Sequence, residues 1–213
     1  MNIENIRPED IERRSMEIIE SEIGDTSHLS HGEKLVVKRV IHTTADFDYL
    51  ETLKFSRNAV ELGLAALESG AVIITDTNMA KSGISRPALS FLNSEIHCFM
   101  SDSDVAEKSK KEGTTRAVAS MDKAAELFSD KNTIFVIGNA PTALIRLYEH
   151  IESGKLSPSL VIGAPVGFVN VIQSKKLIME SKAPYIVADG RKGGSNVSAA
   201  IVNALLYQLY DRG

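Results

Sequence analysis

Four stretches of the chain share one design: Val72-Ile73-Ile74-Thr75-Asp76-Thr77-Asn78, Ile134-Phe135-Val136-Ile137-Gly138-Asn139-Ala140, Leu160-Val161-Ile162-Gly163-Ala164-Pro165 and Tyr185-Ile186-Val187-Ala188-Asp189-Gly190. Each is a short β-branched apolar run that stops in Gly, Ala, Asp or Asn, and each is followed by a helical pattern. Continuous apolar runs spaced by helices are what a parallel sheet buried on both faces requires. In such sheets ligands lie outside the carboxyl ends of the strands. The small and polar residues at those ends therefore form one expected rim, assembled from distant parts of the chain. A weaker run, Ile96-His97-Cys98-Phe99-Met100-Ser101, brings the count to five. The expected fold is α/β and doubly wound: a flavodoxin-like, mostly parallel five-stranded sheet with helices on both faces.

Helical patterns cover residues 8–23, about 56–67, 103–111, 115–128, 141–152, 170–181 and 195–209. The first opens on Pro8 with Glu9 and Asp10 in its first turn. Its apolar face holds Ile11, Met16, Ile18, Ile19 and Ile23, with Ser15 inside that face and Glu22 on the same side near the end. Ser15 there either permits close helix packing or aims a hydroxyl at a polar ligand. Residues 34–45 read as extended. Asp46 or Asp48 then caps a short helix carrying Tyr49, Leu50 and Leu53, and Ser56 caps the next. With 213 residues and short linkers, the chain is expected to be one domain over 1–213.

Composition narrows the function. A net charge of −4 and the absence of tryptophan argue against nucleic acid as a partner. No apolar run is long enough to cross a membrane, and the acidic start, Met1-Asn2-Ile3-Glu4-Asn5, lacks a signal-peptide core. The lone cysteine, Cys98, rules out a disulfide framework, so the cytoplasm is the expected compartment.

The strong cofactor signatures are absent. No G-x-G-x-x-G follows a strand, and there is no G-x-x-x-x-G-K-[ST] and no G-x-S-x-G. The five histidines have no zincin spacing; His28 and His31 fall in a Ser- and Gly-containing loop, and no metal site is expected. His42 differs. It ends an apolar run, precedes Thr43 and Thr44, and has Arg39 three residues before it. A histidine titrates near neutrality, and an arginine offers a rigid fork for a carboxylate. A structural histidine with plain turn threonines fits the same pattern. The segment Asp189-Gly190-Arg191-Lys192-Gly193-Gly194-Ser195-Asn196 lies between the last strand and the last helix, where backbone can approach an anion. Asn139-Ala140-Pro141-Thr142 offers a similar helix start, with Asn139 as candidate N-cap. Lys81, Arg86 and Arg116 lie near the same expected rim. A basic rim on an acidic chain suggests a carboxylate- or phosphate-bearing ligand.

These segments, taken in order, resemble the precorrin-8X methylmutase family, including its cobalt-precorrin-8 counterpart. The matching segments are Arg39-Val40-Ile41-His42-Thr43-Thr44-Ala45-Asp46-Phe47, Phe55-Ser56 with Ala59-Val60-Glu61, Thr75-Asp76-Thr77-Asn78-Met79, Thr115-Arg116, Ile137 to Leu144, Gly163 to Val169 and Gly190 to Ser195. One departure is Arg57-Asn58, where Pro-Gly is expected in many relatives; it alters a helix start only. The resemblance implies cobalamin biosynthesis: an isomerase that moves a methyl group between adjacent ring carbons, giving hydrogenobyrinic or cobyrinic acid. It implies no cofactor, a corrinoid tetrapyrrole as substrate and product, and a homodimer with the pocket near the subunit contact. His42 is implied as the acid. Ser15, Arg39 and Arg116 are similar to substrate-contacting positions, and Thr43, Thr77, Asn139, Gly190, Arg191, Lys192, Gly193 and Gly194 are the remaining expected contacts. A corrinoid carrier without chemistry is the competing reading, and His42 is the residue it has no use for. A flavin-binding flavodoxin-like protein is the third, and Asp76 after the first main strand would repel its phosphate.

Overall fold

Residues 3–211 are described by the computed structural model. Among them, six strands form one sheet: β1 (Leu53–Phe55), β2 (Val72–Thr75), β3 (Glu95–His97), β4 (Thr133–Ile137), β5 (Leu160–Gly163) and β6 (Tyr185–Ala188). Their spatial order is β1-β6-β5-β4-β2-β3. Strands β2 to β6 are parallel, and numbered among themselves they run 2-1-3-4-5, the flavodoxin-like order. The sixth strand is the difference from the expected five. β1 pairs antiparallel with β6, Leu53 opposite Ala188 and Phe55 opposite Ile186. Leu53 therefore lies on an edge strand and not in the short helix, which is α3 (Tyr49–Thr52). Three residues are too few to show a period, and only the partner strand reveals the pairing. Ser56 extends it: its N–H donates to the Tyr185 carbonyl at 3.0 Å and its Oγ accepts from Tyr185 N–H at 2.9 Å. It does not cap the next helix, α4 (Ala59–Glu68), whose N-cap position is Asn58. Asn58 has φ +57°, a conformation glycine adopts freely and asparagine tolerates, so it can occupy the site where relatives were expected to carry glycine.

Residues in each strand alternate between two cores. Ile73, Ile134, Val136, Leu160, Ile162 and Ile186 pack under α1 (Ile11–Glu22), α2 (His31–Thr44), α4, α6 (Arg86–Phe91) and α11 (Ser195–Leu209). Ile74, Phe135, Ile137, Val161 and Val187 pack on the opposite side under α7 (Ser103–Glu112), α8 (Arg116–Phe128), α9 (Pro141–Glu152) and α10 (Val171–Glu180). This explains the unbroken apolar runs of β2, β4, β5 and β6: no residue of these four strands is exposed, whereas edge strands β1 and β3 expose Lys54 and Glu95. A short α5 (Asn78–Gly83) follows β2 directly.

The largest correction concerns residues 34–45. They are not extended; they form most of α2. Val36, Val37, Val40 and Ile41 are rich in β-branching, which favours strands. Their spacing nevertheless places all four on one buried helical face. Ser30 and Glu33 close a reciprocal capping box at the start, a signal legible in Ser30-His31-Gly32-Glu33. The first helical segment splits into a 3-10 turn at Pro8–Asp10 and α1. Of its expected apolar face, Ile19 and Ile23 are buried, whereas Ile11 and Ile18 are exposed.

Candidate active site

Strands β2, β4, β5 and β6 end side by side. Asp76, the first residue past β2, is fully buried. Its carboxylate accepts N–H bonds from Gly138 at 2.8 Å, Asn139 at 2.9 Å and Ala140 at 2.6 Å. Burial pushes the carboxyl above its ordinary range, and the three donors pull the other way. The ring of N–H groups at the start of α9, expected to receive a ligand anion, is thus filled by the protein's own anion. Asn139 is not the N-cap; that position is Ala140, and Asn139 stands exposed on the rim. Next to it Thr77 caps α5 by accepting from Ala80 N–H at 3.0 Å, and its hydroxyl shares a 2.7 Å hydrogen bond with Ser195, the first residue of α11.

The glycine loop from Asp189 to Gly194 closes the rim beyond β6. Gly190 has φ +79°. Gly194 N–H donates to the Ala164 carbonyl at 2.8 Å. A Cβ on Gly193 would lie 2.2 Å from that same oxygen, so only glycine permits the approach. The Lys192 ammonium binds Asp46 at 2.6 Å and Asp48 at 2.7 Å. Those hydrogen bonds hold its proton more tightly than in free lysine. Lys192 is therefore already paired, whereas Arg191 is exposed and lies with its guanidinium 5.9 Å from the Phe168 ring centroid.

The Lys192 pairs moor the end of α2 to this loop. His42 and Thr43 occupy the last turn of α2, three to six residues before Asp46 and Asp48. His42 is exposed and has no hydrogen-bond partner among the described residues; the Thr43 hydroxyl donates to the Arg39 carbonyl at 3.0 Å. Arg116 is the first residue of α8, exposed. A 3.1 Å bond between Thr115 and Thr142 hydroxyls ties that helix start to the start of α9 at the same edge.

Two expected contacts lie elsewhere. Arg39 pairs with Glu12 at 2.7 Å and stands 5.2 Å from the Tyr207 ring centroid. With Met16, Lys38 and Gln208 it lines a cleft of about 630 Å³ between α1, α2 and the end of α11. Helical side chains lean toward the helix N-terminus. The start of α2, at Gly32, packs against Gln208, far along α11 from the rim. Arg39 thus leans away from the rim. The Ser15 hydroxyl donates to Ile11 within its own helix at 2.9 Å.

A family model described as precorrin-8X methylmutase matches residues 10–208. The chain belongs to the precorrin-8X methylmutase family. A cobalt-precorrin-8 methylmutase of Salmonella typhimurium is 47% identical over 208 residues, covering 95% of this chain and 96% of that protein. A precorrin-8X methylmutase of Pseudomonas aeruginosa is 38% identical, covering 92% and 93%. The crystal structure of precorrin-8X methylmutase from Thermus thermophilus superposes with a TM-score of 0.87 at 41% identity, covering 93% of this chain and 94% of that one.

Two members of the rim escaped the sequence reading. Phe168 is 84% exposed, and with Val166, Val169 and Met79 it gives the strand-end edge an apolar fringe. Lys175 is 0% exposed and donates from α10 to the carbonyls of Gly190 and Lys192, both at 2.8 Å. Burial lowers its pKa to about 8, opposed by Asp189. A signal was present: Lys175 falls at helical spacing between Val171 and Ile178, both core residues. Among the described residues no group of acidic, histidine or cysteine side chains is arranged to hold a metal ion, and no helix is long and apolar enough to cross a membrane.

Proposed function

We propose that this chain moves a methyl group between adjacent ring carbons of a corrinoid precursor, converting cobalt-precorrin-8 to cobyrinic acid or precorrin-8X to hydrogenobyrinic acid, and that the macrocycle lies on the strand-end rim. Family membership supports the reaction. The placement rests on one observation: the pairs from Lys192 to Asp46 and Asp48 bring the last turn of α2, with His42, to the glycine loop. The reaction is an isomerisation, so its atoms balance without a methyl donor or redox partner. The methyl group leaves one carbon with its bonding pair and joins the next. His42 lends a proton to the conjugated ring, which draws electron density along the migration path, and recovers it afterwards. The substrate's peripheral carboxylates meet Arg191, Arg116 and the glycine-loop N–H groups. Thr77 and Asn139 border the same edge. The apolar fringe of Phe168, Val169 and Met79 suits the face of a large ring.

The enzyme is further proposed to act in the cytoplasm as a homodimer. Arg39 and Ser15 lie off the rim of their own subunit, and a second subunit gives them a route to its neighbour's substrate. Light scattering of the purified protein tests the dimer. The function is tested by incubating the protein with each substrate and following the appearance of the corrin spectrum. His42→Ala should lose about 10²–10⁴-fold in turnover while still binding cobyrinic acid. A variant with wild-type turnover would remove His42 as the acid.

A further inference from the structure

We infer that Lys175 is a positioning residue: from inside the protein it turns the 190–193 backbone so that two peptide N–H groups face the substrate. This rests on the reading of the glycine loop as a carboxylate contact.

In a trans peptide the C=O and the following N–H point in opposite directions, and no cis peptide occurs among the described residues. The Lys175 ammonium draws the Gly190 and Lys192 carbonyls inward, each at 2.8 Å. The N–H groups of Arg191 and Gly193, which belong to those same two peptide units, must then point outward. Neither donates to an acceptor among the described residues. They flank Lys192 in a loop where Gly190 N–H donates to Asp189 at 2.7 Å, Gly194 N–H donates to the Ala164 carbonyl at 2.8 Å, and the Arg191 carbonyl accepts from Gly167 N–H at 3.2 Å. Two outward-facing N–H groups without a protein partner, beside the exposed Arg191 guanidinium, can each donate to a carboxylate of the ligand.

The choice of lysine is informative. A fully buried ammonium is costly unless its donors are used, and a structural tie between two carbonyls needs no charge. The charge does serve an anion on the far side of the loop. It lies one peptide layer beneath those N–H groups and favours a carboxylate there without meeting it. Asp189, the first residue past β6, is the charged group acting on Lys175, and Arg191 and Lys192 are exposed in the same loop. Lys192 does not supply this charge, because it is paired with two aspartates.

The test compares wild type with Lys175→Met, titrating each with cobyrinic acid by visible absorption and measuring turnover. Lys175→Met should raise the Kd for cobyrinic acid and the KM at least tenfold while kcat at saturation stays within about threefold. That split separates positioning of the loop from general damage, which would lower kcat and thermal stability as well. A folded Lys175→Met protein with wild-type Kd overturns the inference, and so does a loss of kcat at unchanged Kd. If Lys175→Met does not fold, wild type decides. Its Kd should rise at least threefold between pH 7 and pH 9.5 as Lys175 sheds its proton, Lys192 keeping its own through that range; a flat Kd overturns the inference. Wild-type protein that neither binds cobyrinic acid nor turns over substrate would instead overturn the functional reading, whatever the variant does.

Discussion

Asp76→Asn replaces one atom at the sheet's switch point, where the connections after the paired strands β2 and β4 leave for opposite faces, and should be felt across the rim. One carboxylate oxygen serves Asn139 and Ala140 at 2.9 and 2.6 Å; the other serves Gly138 at 2.8 Å. An asparagine can keep its oxygen at the two-donor position. Its NH₂ then faces the Gly138 N–H, donor against donor, in a fully buried site. The unsatisfied donor costs about 1–3 kcal/mol. The two surviving bonds lose their charge assistance, which carries roughly half their strength. Burying a neutral amide in place of a carboxylate offsets part of this. The net loss should be about 2–3 kcal/mol. For a chain of this size that lowers Tm by about 5–10 °C. Thermal unfolding by circular dichroism measures it, with Asp76→Ala, which removes both acceptor oxygens and so all three bonds, losing more. An Asp76→Asn protein melting within about 2 °C of wild type would show that the three N–H groups find other partners, and that Asp76 does not organise the start of α9.

Three further outcomes follow from the same geometry. Gly193→Ala places a methyl 2.2 Å from a backbone oxygen that cannot swing aside; it should cost about 1–3 kcal/mol and weaken cobyrinic acid binding, both read from one set of thermal-shift titrations. Lys175 has a folded pKa of about 8 against 10.5 in the unfolded chain. Between those values the unfolded chain holds a proton the folded one has shed, so stability in urea should rise with pH from about 8 toward 10; the rise should vanish in Lys175→Met, and a wild-type profile flat across that window would contradict it. Product affinity should fall as salt rises to about 1 M, where the Debye length is roughly 3 Å, because Arg191 and Arg116 are exposed; an affinity independent of salt would argue against carboxylate pairing at the rim.

What the sequence determined by itself was the parallel sheet and the identity of its working edge. Runs such as Ile134 to Ile137 are buried on both faces, so every residue had to be apolar, and the change to Gly138-Asn139 marks the strand end without reference to any neighbour. The ordered motifs likewise carried the family. What the sequence left to tertiary structure were the features defined by a partner. β1 is a strand only because β6 lies beside it. The Val36 to Ile41 segment has strand-favouring residues, and burial of one helical face against α11 overrides that preference. The charges could not be assigned from composition: Lys192 and Asp76 read as a free cation and a repelling anion, yet each finds its counterpart far along the chain, at Asp46 and Asp48 and at the α9 N–H groups. Lys175 shows the same limit from the other side, as a lysine placed among core positions whose purpose appears only once Gly190 and Lys192 fold over it. Periodicity is a local property and survives in the sequence; the pairing of charges and of edge strands is decided by which distant segments the fold brings together.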